Sequence, residues 1–116
     1  MQPKSRKLLE DIRDAADFIV EAVGGKSLED YRSERILRQA IERNFEIIGE
    51  AIRRLDQHDP DAAARIGDYR QIIAFRNILI HGYDLVDHLL VWNTIEQQVP
   101  VLLNDIETLQ RTPQSC

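Results

Sequence analysis

Residues 33–55 read SERILRQAIERNFEIIGEAIRRL. Apolar side chains return at Leu37, Ile41, Ile48, Ile52 and Leu55, the three- and four-residue steps of one helix face. Asn44 falls in the same stripe, and Ala40, Phe45 and Ala51 thicken it. Arg35, Arg38, Arg43, Arg53 and Arg54 alternate with Glu34, Glu42, Glu46 and Glu50, the pattern of a solvated, ion-paired face. With Ser33 placed to cap its start, the stretch predicts one amphipathic helix running to about Leu55. Gly49 lies inside it, where glycine costs ~1 kcal/mol relative to alanine, so it predicts the close approach of another helix. Asn44, at the centre of an apolar stripe, needs hydrogen-bond partners.

The helical period continues on both sides. Toward the N-terminus, residues 4–23 carry Leu8, Ile12, Ala15, Ala16, Ile19 and Val23 and stop at Gly24, a glycine end signal, followed by SLEDY as a turn. Toward the C-terminus, HDPD reads as a turn with His58 in it, and a third helix is expected from about Asp68 to His81. A fourth opens near Asp87 and carries Trp92, Ile95, Val99, Leu102, Ile106 and Leu109, a spacing suited to a bundle seam. Pro100 within it predicts a kink or a lost hydrogen bond. No segment alternates with period two. The expectation is an all-α, up-and-down bundle of four or five helices, as one domain over residues 1–116.

Composition narrows the function. Hydrophobic residues make up 43% of the 116 and aromatics 6%, so aliphatic side chains must build the core. No run approaches the ~20 apolar residues that span a bilayer, and MQPKSRKLLED lacks a signal peptide's apolar centre. The single cysteine, Cys116, has no internal partner, which makes the reducing cytoplasm the expected compartment. A net charge of −5 argues against coating nucleic acid by bulk electrostatics and leaves room for a small local cationic site.

The third helix holds such a cation. On a wheel of about 100° per residue, Ile72, Ile73, Leu79 and Ile80 of QIIAFRNILIHGYD lie within about 60° of Arg76. Arg76 therefore sits amid an apolar stripe, which is costly unless something pairs with it, and Arg76 and Asn44 are candidates to face one polar pocket. Asn77 and His81, four apart, share another side. Ile78 points away from Arg76, so the helix is apolar almost all round, as expected for burial against its own bundle or a second subunit. His81 stands about 140° round from Arg76, so a site using both fits better across a two-fold axis than within one chain.

A plainer reading competes. His81 before Gly82 is also an ordinary helix end, a cation-capable side chain followed by a left-handed glycine, and Tyr83 alone is an ordinary packing residue. Asp84, Asp87 and His88 are loosely spaced for a metal, and Asp87 serves equally as an N-cap, so no metal and no cofactor are expected. There is no glycine-rich phosphate loop, serine nucleophile motif or paired-carboxylate constellation. A scaffold that only binds a partner, or a subunit that holds a mononucleotide, stands beside the enzyme reading.

The segment RNILIHGY resembles the HEPN superfamily, whose ribonuclease members carry Arg, four to six residues, then His. With four intervening residues and a tyrosine two after the histidine, Arg76, His81 and Tyr83 match the form found in HepT-like toxins. AIERNFEIIGEAIRRL resembles that family's second helix, and LVWNTIEQQVPVLLNDI its last. The resemblance implies the HEPN fold, a homodimer, and the toxin of a toxin–antitoxin system that cleaves RNA, an mRNA or tRNA, without metal. It further implies a MntA-like minimal nucleotidyltransferase antitoxin that AMPylates the motif tyrosine, Tyr83 here. RNA supplies its own nucleophile, the 2′-hydroxyl, so the protein needs proton transfer and charge stabilisation. His81 suits the first and Arg76 the second, with Asn77 orienting phosphate or imidazole. An AMP group on Tyr83 would set a bulky anion beside His81 and compete for Arg76.

Overall fold

Seven helices form the described part of the chain in the computed structural model, which covers residues 1–82, 84 and 86–111. In chain order they are α1 (Pro3–Val23), α2 (Leu28–Ser33), α3 (Arg35–His58), α4 (Pro60–Ala64), α5 (Tyr69–His81), α6 (His88–Gln97) and α7 (Val99–Arg111). The bundle is all-α, as the period predicts. The count exceeds four or five for local reasons.

The SLEDY turn is a short helix. Ser27 accepts from the Asp30 backbone N–H at 3.2 Å and the Asp30 carboxylate accepts from the Ser27 N–H at 2.9 Å, a reciprocal capping box that nucleates α2. Ser33 consequently ends α2, its hydroxyl donating to the Asp30 carbonyl at 3.3 Å, and Glu34 takes the N-cap position of α3 without a side-chain bond. HDPD also starts a helix: Asp59 caps α4 through the Ala62 N–H, and His58 closes the last turn of α3. Pro100 does more than the expected kink or lost hydrogen bond. Lacking an N–H, it cannot continue the ladder of α6, and the run divides at Gln98 into α6 and α7.

α3 is the axis of the assembly. It packs along α1 and α5 on two sides, while α7 lies on α1, and α6 bridges α7 and α2. Ile41, Ile48, Ile52 and Leu55 of α3 are fully enclosed with Ile12 and Ile19 of α1 and Ile106 of α7. Each such side chain contributes about 1.5–3 kcal/mol relative to exposure. Phe45 and Phe75 meet edge to face at 5.1 Å where α5 crosses α3. The turn before α5 is pinned on α7 by the Asp105 carboxylate, which accepts from the Gly67 N–H at 2.9 Å, and Asp68 adopts a left-handed backbone (φ 58°) to start the helix. Among the described residues, no helix is long and apolar enough to cross a membrane.

Candidate functional site

α5 lies on α3 at a notch. A Cβ added at Gly49 would stand 2.3 Å from the Cβ of Arg76 and 2.6 Å from its Cγ, closer than real atoms approach. Gly49 thus marks the close approach its position in the stripe predicts, and the group it admits is the stem of the unusual cation. Arg76 keeps 21% of its side chain exposed, so it faces the neighbouring helix without being sealed.

Its partner is Glu50, the residue after the notch. Arg76 Nη2 lies 2.9 Å from Glu50 Oε2, and Arg76 Nη1 donates to Asn77 Oδ1 at 3.1 Å. The third nitrogen, Nε, is buried and donates to no acceptor among the described residues. Glu50 also accepts from Arg53 Nη2 at 2.6 Å and from Arg54 Nε at 3.2 Å. The hydrogen bond from Arg53, together with Arg54 and the charge of Arg76, holds the Glu50 carboxyl below its ordinary range against the opposing effect of burial. Glu50 was expected on the solvated, ion-paired face. It does pair with Arg53 and Arg54 there, yet its second oxygen reaches the cation of another helix.

The pair lines a cleft of about 250 Å³ between α1, α3 and α5, with Asp11, Arg43, Glu46, Arg54 and Ile80 on its walls. Arg43 stands 4.0 Å from Glu46, and Asp11 is paired with Lys7 at 2.7 Å. A larger hollow of about 360 Å³ lies where α5 faces α6 and α7, lined by Phe45, Ile72, Phe75, Ile78 and Leu90. It has no charged group in its wall, so of the two it is the smaller cleft that offers charged side chains to a ligand.

The structure unites two of the four candidate residues and separates a third. Arg76 and Asn77 are hydrogen-bonded neighbours. His81 ends α5 exposed to solvent and is not among the residues lining the Arg76 cleft. The expectation that the two side chains diverge on one helix agrees with this. Tyr83 lies outside the described residues. Gly82 caps α5 at φ −121°, donating its N–H to the Ile78 carbonyl at 2.9 Å, so the left-handed glycine expected after His81 does not occur.

Asn44 is a second correction. Its amide donates to the Ala40 carbonyl at 2.8 Å within its own helix, and it is not among the lining residues of the Arg76 cleft. A half-buried amide finds the carbonyl one turn back sooner than a partner on another helix. Two of the weaker metal candidates have local partners instead. Asp87 caps α6 by accepting from the Leu89 N–H at 2.9 Å, while the His88 ring packs edge-on against Tyr31 at 5.6 Å. Among the described residues, no group of three or more His, Cys, Asp or Glu side chains converges to hold a metal.

Comparison with known proteins identifies the family. The family model for HepT-like ribonucleases matches residues 12–109, a span that contains Arg76, Asn77, His81 and Tyr83. A protein named as a candidate RNase in Caldanaerobacter subterraneus is 34% identical over 107 residues, covering 91% of this chain and 95% of the relative. The probable ribonuclease HepT of Thermococcus cleftensis is 30% identical over 111 residues, covering 96% and 100%. A candidate RNase of Methanocaldococcus jannaschii is 28% identical over 102 residues, covering 88% and 93%. No solved structure matches significantly. A matching family model, relatives along nearly the whole chain and an all-α bundle lead to one assignment: the chain belongs to the HepT-like ribonuclease family.

Proposed function

We propose that this chain is a ribonuclease toxin, a single HepT-like domain that cleaves RNA with Arg76 and His81. The observation that carries the reading is the placement of Arg76, whose stem fills a glycine notch while its charged end borders an open cleft. A guanidinium keeps its charge when partly desolvated and matches the oxygens of a pentacoordinate phosphorus. His81 transfers protons to and from the 2′-hydroxyl and the leaving oxygen, and Asn77 braces the guanidinium from its own helix. The internal nucleophile makes the chemistry metal-independent.

The active form is a homodimer. Ile78 and Leu90, 46% and 45% exposed, rim the apolar hollow beside α5, and their exposure supports a second copy covering that face. Since His81 is exposed at the end of α5 and does not line its own Arg76 cleft, a site that uses both residues requires a two-fold arrangement that brings one chain's His81 toward the other's Arg76. The partner is a MntA-like minimal nucleotidyltransferase antitoxin that neutralises the toxin by AMPylating Tyr83. The added phosphate sits two residues from His81 and competes for the cation that RNA needs.

The test uses the purified, unmodified chain with total RNA in EDTA, alongside Arg76→Ala and His81→Ala. Cleavage by the parent alone supports the enzyme. Equal cleavage by all three, or none by the parent, rejects it in favour of a non-catalytic partner or nucleotide-binding subunit. Incubation with the nucleotidyltransferase and ATP should add AMP mass to the peptide containing Tyr83 and stop cleavage, and Tyr83→Phe should resist both.

A further inference from the structure

We propose that Glu50 is the positioning residue for Arg76, an inference that rests on the ribonuclease reading above. The argument starts from an imbalance. Three guanidiniums, those of Arg53, Arg54 and Arg76, converge on one carboxylate. The other two carboxylates of the cleft pair with other cations, Glu46 with Arg43 of the same wall and Asp11 with Lys7. Around Glu50 itself positive charge is therefore in surplus, three guanidiniums to one carboxylate, in a chain whose net charge is −5. Such a surplus suits a phosphodiester.

The contacts also have a direction. Glu50 is satisfied by its own helix, since Arg53 and Arg54 stand one turn away and hold Oε1 at 2.6 and 3.2 Å. Arg76 has no comparable supply: Glu50 is the acidic side chain it pairs with, and Asn77 gives it one neutral contact. The carboxylate, braced from α3, thus fixes the guanidinium of α5, while Gly49 fixes the stem. With one edge held by Glu50 and the side chain still 21% exposed, the guanidinium keeps N–H groups at its open end for a phosphate oxygen. Glu50 itself touches no reacting atom. It acts by holding Arg76 where charge develops in the transition state.

The test compares Glu50→Ala and Glu50→Gln in the full chain, each also in an Arg76→Lys background, on an oligoribonucleotide of fixed sequence. Glu50→Ala should lower kcat about tenfold to a hundredfold, as expected for a misplaced catalytic group, with KM moving less than about threefold. Glu50→Gln, which keeps an oxygen acceptor, should recover part of that loss. In the Arg76→Lys background Glu50→Ala should add less than about a twofold loss, because its effect passes through the guanidinium. A second readout needs no activity: the Arg76 Nε–H resonance in 1H–15N spectra should be resolved in the parent and merge with the solvent-exposed arginines in Glu50→Ala, while thermal unfolding stays cooperative. Equal kcat losses in both backgrounds, an unchanged Arg76 resonance, or faster cleavage by Glu50→Ala would overturn the proposal, the last by making Glu50 a competitor of RNA. If the parent cleaves no RNA, the ribonuclease reading falls, and the resonance alone upholds or rejects the seating of Arg76.

Discussion

Two glutamates on α3, about two helical turns apart, have opposite fates. Glu42 faces the α2–α6 end, where burial raises its carboxyl above the ordinary range while the charges of His88 and Arg38 pull it back. Beside it, the fully enclosed Tyr31 ring packs on His88 at 5.6 Å and Trp92 at 5.9 Å, and burial drives its phenol upward. Glu50 stands among arginines and is pulled down, chiefly by Arg53. One residue type on one helix thus marks a closed packing centre at one end and an open cleft lined by charged side chains at the other. The difference teaches that charge pattern along a helix does not assign roles; the helices laid against it do.

The sharpest way to test that division is to cut each end in turn. Tyr31→Ala, which empties a fully buried aromatic site, should cost about 3–5 kcal/mol in denaturant unfolding, as other buried aromatics do, and leave cleavage per folded molecule unchanged. Arg76→Ala should do the reverse. Cleavage should fall at least about a hundredfold, near 2.7 kcal/mol of transition-state energy, while stability moves by under about 1 kcal/mol because Glu50 keeps Arg53 and Arg54. If stability collapses in Arg76→Ala with cleavage intact per folded molecule, the two ends are not distinct.

Gly49→Ala probes the notch. In an open helix this change would gain about 1 kcal/mol, but here the new methyl meets the root of Arg76, which cannot swing aside. A loss of about 1–3 kcal/mol is expected in the same unfolding assay, together with slower cleavage. A gain in stability would show that α5 lies elsewhere.

The smallest effect is in pH dependence. The lowered carboxyl of Glu50 contributes stability that is present above its unfolded value of 4.5 and lost as pH falls through its folded value. The raised carboxyl of Glu42 acts with the opposite sign, its contribution fully present below 4.5 and lost as pH rises through its folded value. Melting temperature measured across acidic pH should therefore show Glu50→Gln losing ground to the parent as pH rises, and Glu42→Gln gaining it. Parallel curves would erase the contrast between the two ends.

Much of this arrangement was legible in the chain. The apolar period located α1, α3 and α5, Asp68 and His81 bounded α5 closely, Pro100 divided the last helical run, and Asp87 capped α6. Gly49 announced a close approach, and the wheel placed Arg76 on the inner side of α5. The partner of Arg76 was missed because a glutamate between arginines looks the same whether it faces water or another helix. One signal was available: Glu50 directly follows the glycine expected to receive a neighbour. The short helices α2 and α4 escaped because capping, a matter of one or two hydrogen bonds, creates them without any period to detect.

By itself the sequence determined a helical bundle, its apolar faces and a costly arginine in one of them, because periodicity and the expense of burying charge are local matters. Only the tertiary structure decided that Arg76 lies on Gly49 and that Glu50 holds it. Which residues meet across two helices depends on how the helices cross. That angle is set by the packing of the whole core and by no single stretch of chain.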